Sequence, residues 1–440
     1  MMKNKRRALS LAVLACLLAS LLCACGSAPT QTDSTPERPG AEAQTVEPVQ
    51  TPEPTASPEE ILSRGKALYF GLETGRQDLD EALICLREAA EAGNADAWYY
   101  IGRIAYFTDS ARSARESFEK GVERGSDLCR LGLGELLTEG NGVKQDYAQA
   151  RELFQQAADN GCPEANTGLG DLYQMGWGVE MDRVAALAYF QTAMESEDPE
   201  RRAYAMLGCG SIYKSGGGGV EKDDSAAAEW YGKAFALYKT LAEVGNVKGM
   251  YIVGSLFYTG NGTARDYAAA AEWLQKAADV GYAPAINTVG ILYHWGRGVE
   301  QDYAAAMDRY LRAAERGYAA AMRNVAAMYS NGLGVEPDDA VAMEWLEKAA
   351  DYGNSGAMVD LGNMHQKGIF VEEDLTAAAE WFLKAADLGD AEGMFRIGYA
   401  YYMGQGVERD TDAAKAWLQK AMDRGNTSAK NILLLINSLG

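Results

Sequence analysis

The chain has 440 residues, more than one hydrophobic core usually supports, so it must divide into domains or stack as repeats. Apolar residues make up 48 % of it, and 62 acidic against 41 basic side chains give a net charge of −21. A surface this negative argues against nucleic acid, which needs clustered Lys and Arg, and against docking of the folded part on an anionic membrane.

Residues 1–24 read as an address. Lys3, Lys5, Arg6 and Arg7 form a positive start, and Ala8 to Ala24 is apolar apart from small Ser and Cys. This is the layout of a secretory signal peptide, and the run is short for a membrane-spanning helix. It ends in Leu22-Cys23-Ala24-Cys25, which resembles the bacterial lipoprotein signal. Cys23 departs modestly from that pattern, where a small or β-branched residue is commoner. The resemblance implies cleavage before Cys25 and a diacylglycerol thioether on its sulfur. The protein is then expected in the cell envelope, outside the cytoplasm and held to a membrane by lipid.

Residues 25–60 follow as a tether. Pro29, Pro36, Pro39, Pro48, Pro52, Pro54 and Pro58 fall here, among Thr, Ser, Glu and Gln. Such a segment cannot offset its ordering entropy, and proline keeps it extended, with a reach of up to about 100 Å.

A repeat fills the remainder. The closing glycines Gly281, Gly317, Gly353, Gly389 and Gly425 stand 36 residues apart. Each unit opens with apolar residues at helical spacing, such as Ala285, Val289 and Leu292. A Gly-x-Gly turn follows, as at Gly296/Gly298. An aspartate then stands where a second helix starts: Asp266, Asp302, Asp338, Asp374 and Asp410, each suited to cap it. The second helix is expected to bury Trp273, Trp345, Trp381 and Trp417, with Arg309 breaking the series, and then to present paired alanines. One helix pair cannot bury its own apolar face, so the pairs must stack.

This pattern resembles the Sel1-like repeat, a relative of the tetratricopeptide repeat, over about residues 61–428. Ten units are counted by Gly65, Gly102, Gly134, Gly170, Gly210, Gly254, Gly290, Ala326, Gly362 and Gly398. The unit at Gly102 has a short turn, Phe370 replaces a turn glycine, and the unit at Gly210 is lengthened in its second helix. Residues 429–440 read as a terminal capping helix. The resemblance implies an all-α, right-handed solenoid of about ten antiparallel helix pairs. Its inner surface, lined by the first helices, is expected to bind proteins or peptides.

In the first helix, the positions three before, one after and four after the key glycine lie opposite the core face. They nominate Tyr251, Tyr258, Asn287, His294, Arg323, Asn363, Phe395, Tyr399 and Tyr402 as groove residues. Exposed aromatics with amide neighbours suit peptide recognition. The alternative is that these residues pack against the neighbouring unit. A binding module for cell-wall fragments or glycans, with the aromatics as stacking platforms, is the rival function.

Catalytic chemistry is not expected. The Gly-x-Gly-Val turns follow helices, whereas a phosphate loop follows a strand. Two histidines and scattered carboxylates form no ligand set, so neither metal nor cofactor is expected. Some exported relatives carry one disulfide per repeat and have been credited with penicillin binding or β-lactamase activity. Here Cys85, Cys129, Cys162 and Cys209 occupy four different repeat positions. Ser117-Phe118-Glu119-Lys120 spells Ser-x-x-Lys inside a second helix, without partner motifs.

Overall fold

The computed structural model describes residues 56–71, 75–108, 111–139, 146–369 and 371–439. The signal segment, Cys25, most of the tether and Phe370 lie outside the described residues.

Ten helix pairs follow one another. α1 (Pro58–Phe70) pairs with α2 (Leu79–Glu91), α3 (Ala97–Thr108) with α4 (Ala111–Glu123), and α5 (Asp127–Glu139) with α6 (Tyr147–Asp159). α7 (Ala165–Met175) pairs with α8 (Arg183–Ala193), α9 (Pro199–Ser215) with α10 (Asp224–Glu243), and α11 (Val247–Thr259) with α12 (Tyr267–Asp279). α13 (Ala283–Trp295) pairs with α14 (Tyr303–Ala314), and α15 (Ala319–Asn331) with α16 (Asp339–Asp351). α17 (Ser355–Lys367) pairs with α18 (Leu375–Asp387), and α19 (Ala391–Met403) with α20 (Thr411–Asp423). α21 (Thr427–Leu439) packs on the last pair. The chain is an all-α solenoid. α1 begins slightly before residue 61, with Ser57 and Glu60 forming a capping box. The long fifth unit is lengthened in both its helices: α9 has 17 residues and α10 has 20.

The start of each second helix is set by its aspartate. Asp266, Asp302, Asp338, Asp374 and Asp410 all take extended backbone, and each carboxylate accepts from an N–H of the first helical turn. These bonds satisfy donors that the helix itself leaves open.

Glycine is needed at two kinds of position. The second turn glycine has positive φ and lies against the preceding unit: a Cβ on Gly298 would stand 2.0 Å from the Tyr267 carbonyl oxygen. The first-helix glycines admit a ring. Phe154 of α6 lies between Gly134 of its own unit and Gly168 of the next, where Cβ atoms would come within 2.5 Å of it. Phe118 sits likewise between Gly102 and Gly132, and Phe190 between Gly170 and Gly208. One ring therefore wedges two units together, and fully burying it contributes about 2–3 kcal/mol.

The tryptophans do not hold the deepest place. Leu274, Tyr310, Leu346, Phe382 and Leu418, each one residue after the Trp position, are the buried side chains. Trp273, Trp345, Trp381 and Trp417 are half-buried at the rim. Lys276, Lys348, Lys384 and Lys420 lie over their rings at 4.2, 4.5, 3.8 and 4.1 Å. The residue after each Trp position faces the first-helix glycine, Leu274 at Gly254 and Phe382 at Gly362, so that side chain enters the gap.

Candidate functional site: the inner face

The odd-numbered helices form the inner layer. α1, α3, α5, α7 and α9 touch in succession, as do α17, α19 and α21, while no two second helices pack substantially together among the described residues. The inner layer is the shorter path of the curve, so its residues crowd. This crowding decides the fate of the nominated groove.

Tyr251, Tyr258 and Asn287 are 2 %, 3 % and 3 % exposed, so they do not form an open surface. Tyr251 packs edge-on to Tyr282 at 5.4 Å, and Tyr258 receives a hydrogen bond from Arg297. The Asn287 side-chain oxygen accepts from Asn324 at 2.8 Å. His294 is half-buried against Trp295 and Tyr303, and burial lowers its pKa, which favours the neutral ring.

The remaining nominees lie on α15, α17 and α19 and keep partial access. Arg323 reaches from α15 to Asp360 of α17 at 2.7 Å. Asn363 holds a buried side-chain oxygen with no hydrogen-bond partner. Phe395 and Tyr399 lie 6.2 Å apart, and the Arg409 guanidinium sits 5.8 Å from the Tyr402 ring. Ala327 and Ser330 beside them are exposed. This stretch offers aromatic surface and amide side chains.

The N-terminal units are different. Their inner face holds a buried polar network that the nominated residues did not include. Arg103 of α3 donates to Glu200 of α9 at 3.0 Å. Arg201 of α9 donates to Glu135 of α5 and to the Tyr99 hydroxyl. Asn246 donates to Glu200 at 2.9 Å, and the Lys248 ammonium lies 4.0 Å from it. Burial alone would raise the Glu200 carboxyl, but Arg103, Lys248 and Asn246 outweigh it and the pKa falls. Burial likewise opposes ionisation of Glu135, and Arg201 outweighs it. Two more carboxyls accept from tyrosine hydroxyls. Glu139 accepts from Tyr106, and Asp171 accepts from Tyr204 at 2.9 Å. Burial, with Glu135 nearby, pushes Glu139 up to about 8. Burial pushes Asp171 up to about 7.

The superhelix also closes along its axis. The Gln77 N–H donates to the Val244 carbonyl at 2.8 Å, and the Val247 N–H donates to the Gln77 side chain at 3.3 Å. Farther on, the Tyr147 hydroxyl donates to Leu388 and Arg424 to the Gly176 carbonyl, at 3.5 and 3.4 Å. Successive turns therefore touch.

The residues with catalytic spelling have structural roles. The Ser117 hydroxyl donates to the Ser113 carbonyl at 2.9 Å, and the Lys120 ammonium lies 5.1 Å from the Trp98 ring centre. All four described cysteines are free thiols, and burial pushes Cys129, Cys162 and Cys209 up to about 12. Thiols so protonated are poor nucleophiles. Among the described residues no three His, Cys, Asp or Glu gather as a metal site requires, and no helix is long and apolar enough to cross a membrane.

The Sel1 repeat family profile matches residues 62–94, 128–162, 163–198, 202–238, 247–282, 283–318, 319–354, 355–390 and 391–426. The chain belongs to the Sel1 repeat family, whose members are generally non-catalytic protein-interaction scaffolds. The pair α3–α4 falls outside the nine matched segments, which is where the sequence showed a short turn. Among solved structures, the chain is similar to a Sel1 repeat protein from Oxalobacter formigenes, with 24% identity, 54% of this chain and 87% of that one covered, and a TM-score of 0.41. It is also similar to c5321, a protective antigen of uropathogenic Escherichia coli displaying an SLR fold, with 28% identity, 80% and 81% covered, and a TM-score of 0.31. A putative sel1 repeat protein from Klebsiella pneumoniae has 23% identity, 46% and 99% covered, and a TM-score of 0.33. Among curated proteins none matches the chain.

Proposed function

We propose that this chain is a tethered, non-enzymatic scaffold that holds a protein or peptide on the inner face of α15, α17 and α19. The observation that carries the reading is that Phe395, Tyr399 and Tyr402 stay half-buried on the inner stretch that also carries exposed Ala327 and Ser330, where the matching Tyr251 and Tyr258 are covered. The rings would cover apolar side chains of a peptide ligand. Family membership supports the same class of function.

The address is part of the proposal. Lipid on Cys25 would hold the solenoid at the outer side of a bacterial membrane, with residues 26–55 as most of the reach. Labelling with a radioactive fatty acid tests it: label should enter the wild type and vanish in Cys25→Ala. Label retained by that variant would exclude the anchor.

The partner's place is tested by a photo-crosslinking residue introduced at Ala327 or Gln366, compared with one at Val280 on the outer side. In the native envelope the inner positions should trap a common protein that the outer one does not. Equal trapping at all three would contradict the placement. A glycan or wall fragment is the rival occupant, because the same aromatic trio would stack on sugar rings. Retention on purified peptidoglycan, abolished by Tyr399→Ala/Tyr402→Ala, would favour it.

A further inference from the structure

The first superhelical turn is closed by charged and polar groups from helices far apart in sequence. Arg103 and Tyr99 of α3, Glu135 of α5 and Glu200 and Arg201 of α9 meet at its centre. The Gln77 bonds to Val244 and Val247 close its rim. Apolar packing tolerates many superhelical pitches, but these pairs form at one only. A buried pair contributes little net stability, yet separating it exposes the cost of each lone charge.

Glu139 and Asp171 lie against these pairs. Around Glu139 are Glu135 of its own helix, Tyr106 and Arg103 of α3, Arg201 of α9 and Lys248 of α11. Around Asp171 are Tyr204 and Arg201 of α9, with Glu135 and Glu139 of α5. We propose that this cluster is a latch: the Arg103–Glu200 and Arg201–Glu135 pairs hold the N-terminal units as a closed turn, and loss of the protons on Glu139 and Asp171 opens it. The protonated forms put no like charge beside Glu135. Two further negative charges there compete for Arg201 and Arg103 and draw water inward. Opening uncovers the inner surface of α1, α3, α5 and α9, including the ring cluster of Tyr69, Phe70, Tyr99 and Tyr100. The latch stands independently of what α15, α17 and α19 bind.

Hydrogen exchange on the full chain, corrected for the intrinsic rate, reads the latch directly. Between about pH 6 and about pH 9, protection of α3, α5 and α9 should fall about tenfold or more, while α15 to α20 hold theirs. Glu139→Gln/Asp171→Asn should stay protected throughout. A second variant, Gln77→Cys/Val244→Cys, should hold the turn shut when oxidised and follow the wild type when reduced. Flat wild-type protection would overturn the proposal. So would equal loss in the Gln/Asn variant, or equal loss in the oxidised and reduced forms of the cysteine variant.

Discussion

Replacing Gly298 by alanine should cost far more than replacing Gly353, although both residues have nearly the same backbone. Their φ angles are +73° and +79°, so the left-handed penalty of about 1–2 kcal/mol is common to both. The surroundings differ. A Cβ on Gly353 meets nothing within 4 Å, so that penalty is the whole cost. A Cβ on Gly298 would stand 2.0 Å from the Tyr267 oxygen and 2.4 Å from its carbon, both backbone atoms. The start of α12 would have to retreat by about 1 Å or more to reach ordinary contact. That movement strains the cap that Asp266 makes to Ala268 and Ala269, worth about 1 kcal/mol, and loosens the seam between two units. Gly298→Ala should therefore lose about 3 kcal/mol or more, against about 1–2 kcal/mol for Gly353→Ala. Urea unfolding followed by helical circular dichroism measures the difference, and hydrogen exchange across α12 and α13 locates it, since a repeat array need not unfold in one step. Equal costs for the two variants would refute the seam argument.

Other expectations follow from the same geometry. Asp302→Ala should cost about 0.5–2 kcal/mol, read as a shift in urea midpoint, because the Ala305 N–H loses its partner. Arg201→Met should cost about 1.5–3 kcal/mol by leaving half-buried Glu135 without its charged partner, and Arg201→Met/Glu135→Met should recover much of it. Lys384→Met should cost no more than about 1 kcal/mol, since the Lys384–Trp381 contact lies at the rim. Folding takes up a proton at Glu139 between its ordinary 4.5 and about 8, so stability should fall as pH rises through that window. Glu139→Gln should flatten the slope of melting temperature against pH, and an unchanged slope would show that Glu139 does not supply it.

The repeat was legible because each of its signals answers a short-range demand. A left-handed turn selects Gly298, a helix start selects Asp302, and both recur with the period of the chain. The depth of burial was less so. Trp273 and Leu274 are adjacent, and only the gap left opposite Gly254 decides which one enters. Curvature was not legible at all. It accumulates from a small rotation at every unit, and it determines that Tyr251 and Tyr258 are covered while Tyr399 and Tyr402 keep partial access. The register that nominated those tyrosines, applied to the units at Gly102 and Gly134, yields Tyr99, Arg103, Tyr106 and Glu135. A basic residue and an acid at the same inner position of neighbouring units were the available sign of the buried network. Glu200 and Arg201 carried no such sign, because they enter from the first turn of the lengthened α9.

Affinity capture from the native cell envelope tests the scaffold most directly. The baits are residues 26–440 and the same chain with Asn363→Ala, Tyr399→Ala and Tyr402→Ala, matched by circular dichroism. The account predicts a protein enriched on the first bait and lost from the second. The same protein held equally by both baits, or none held by either, would contradict it.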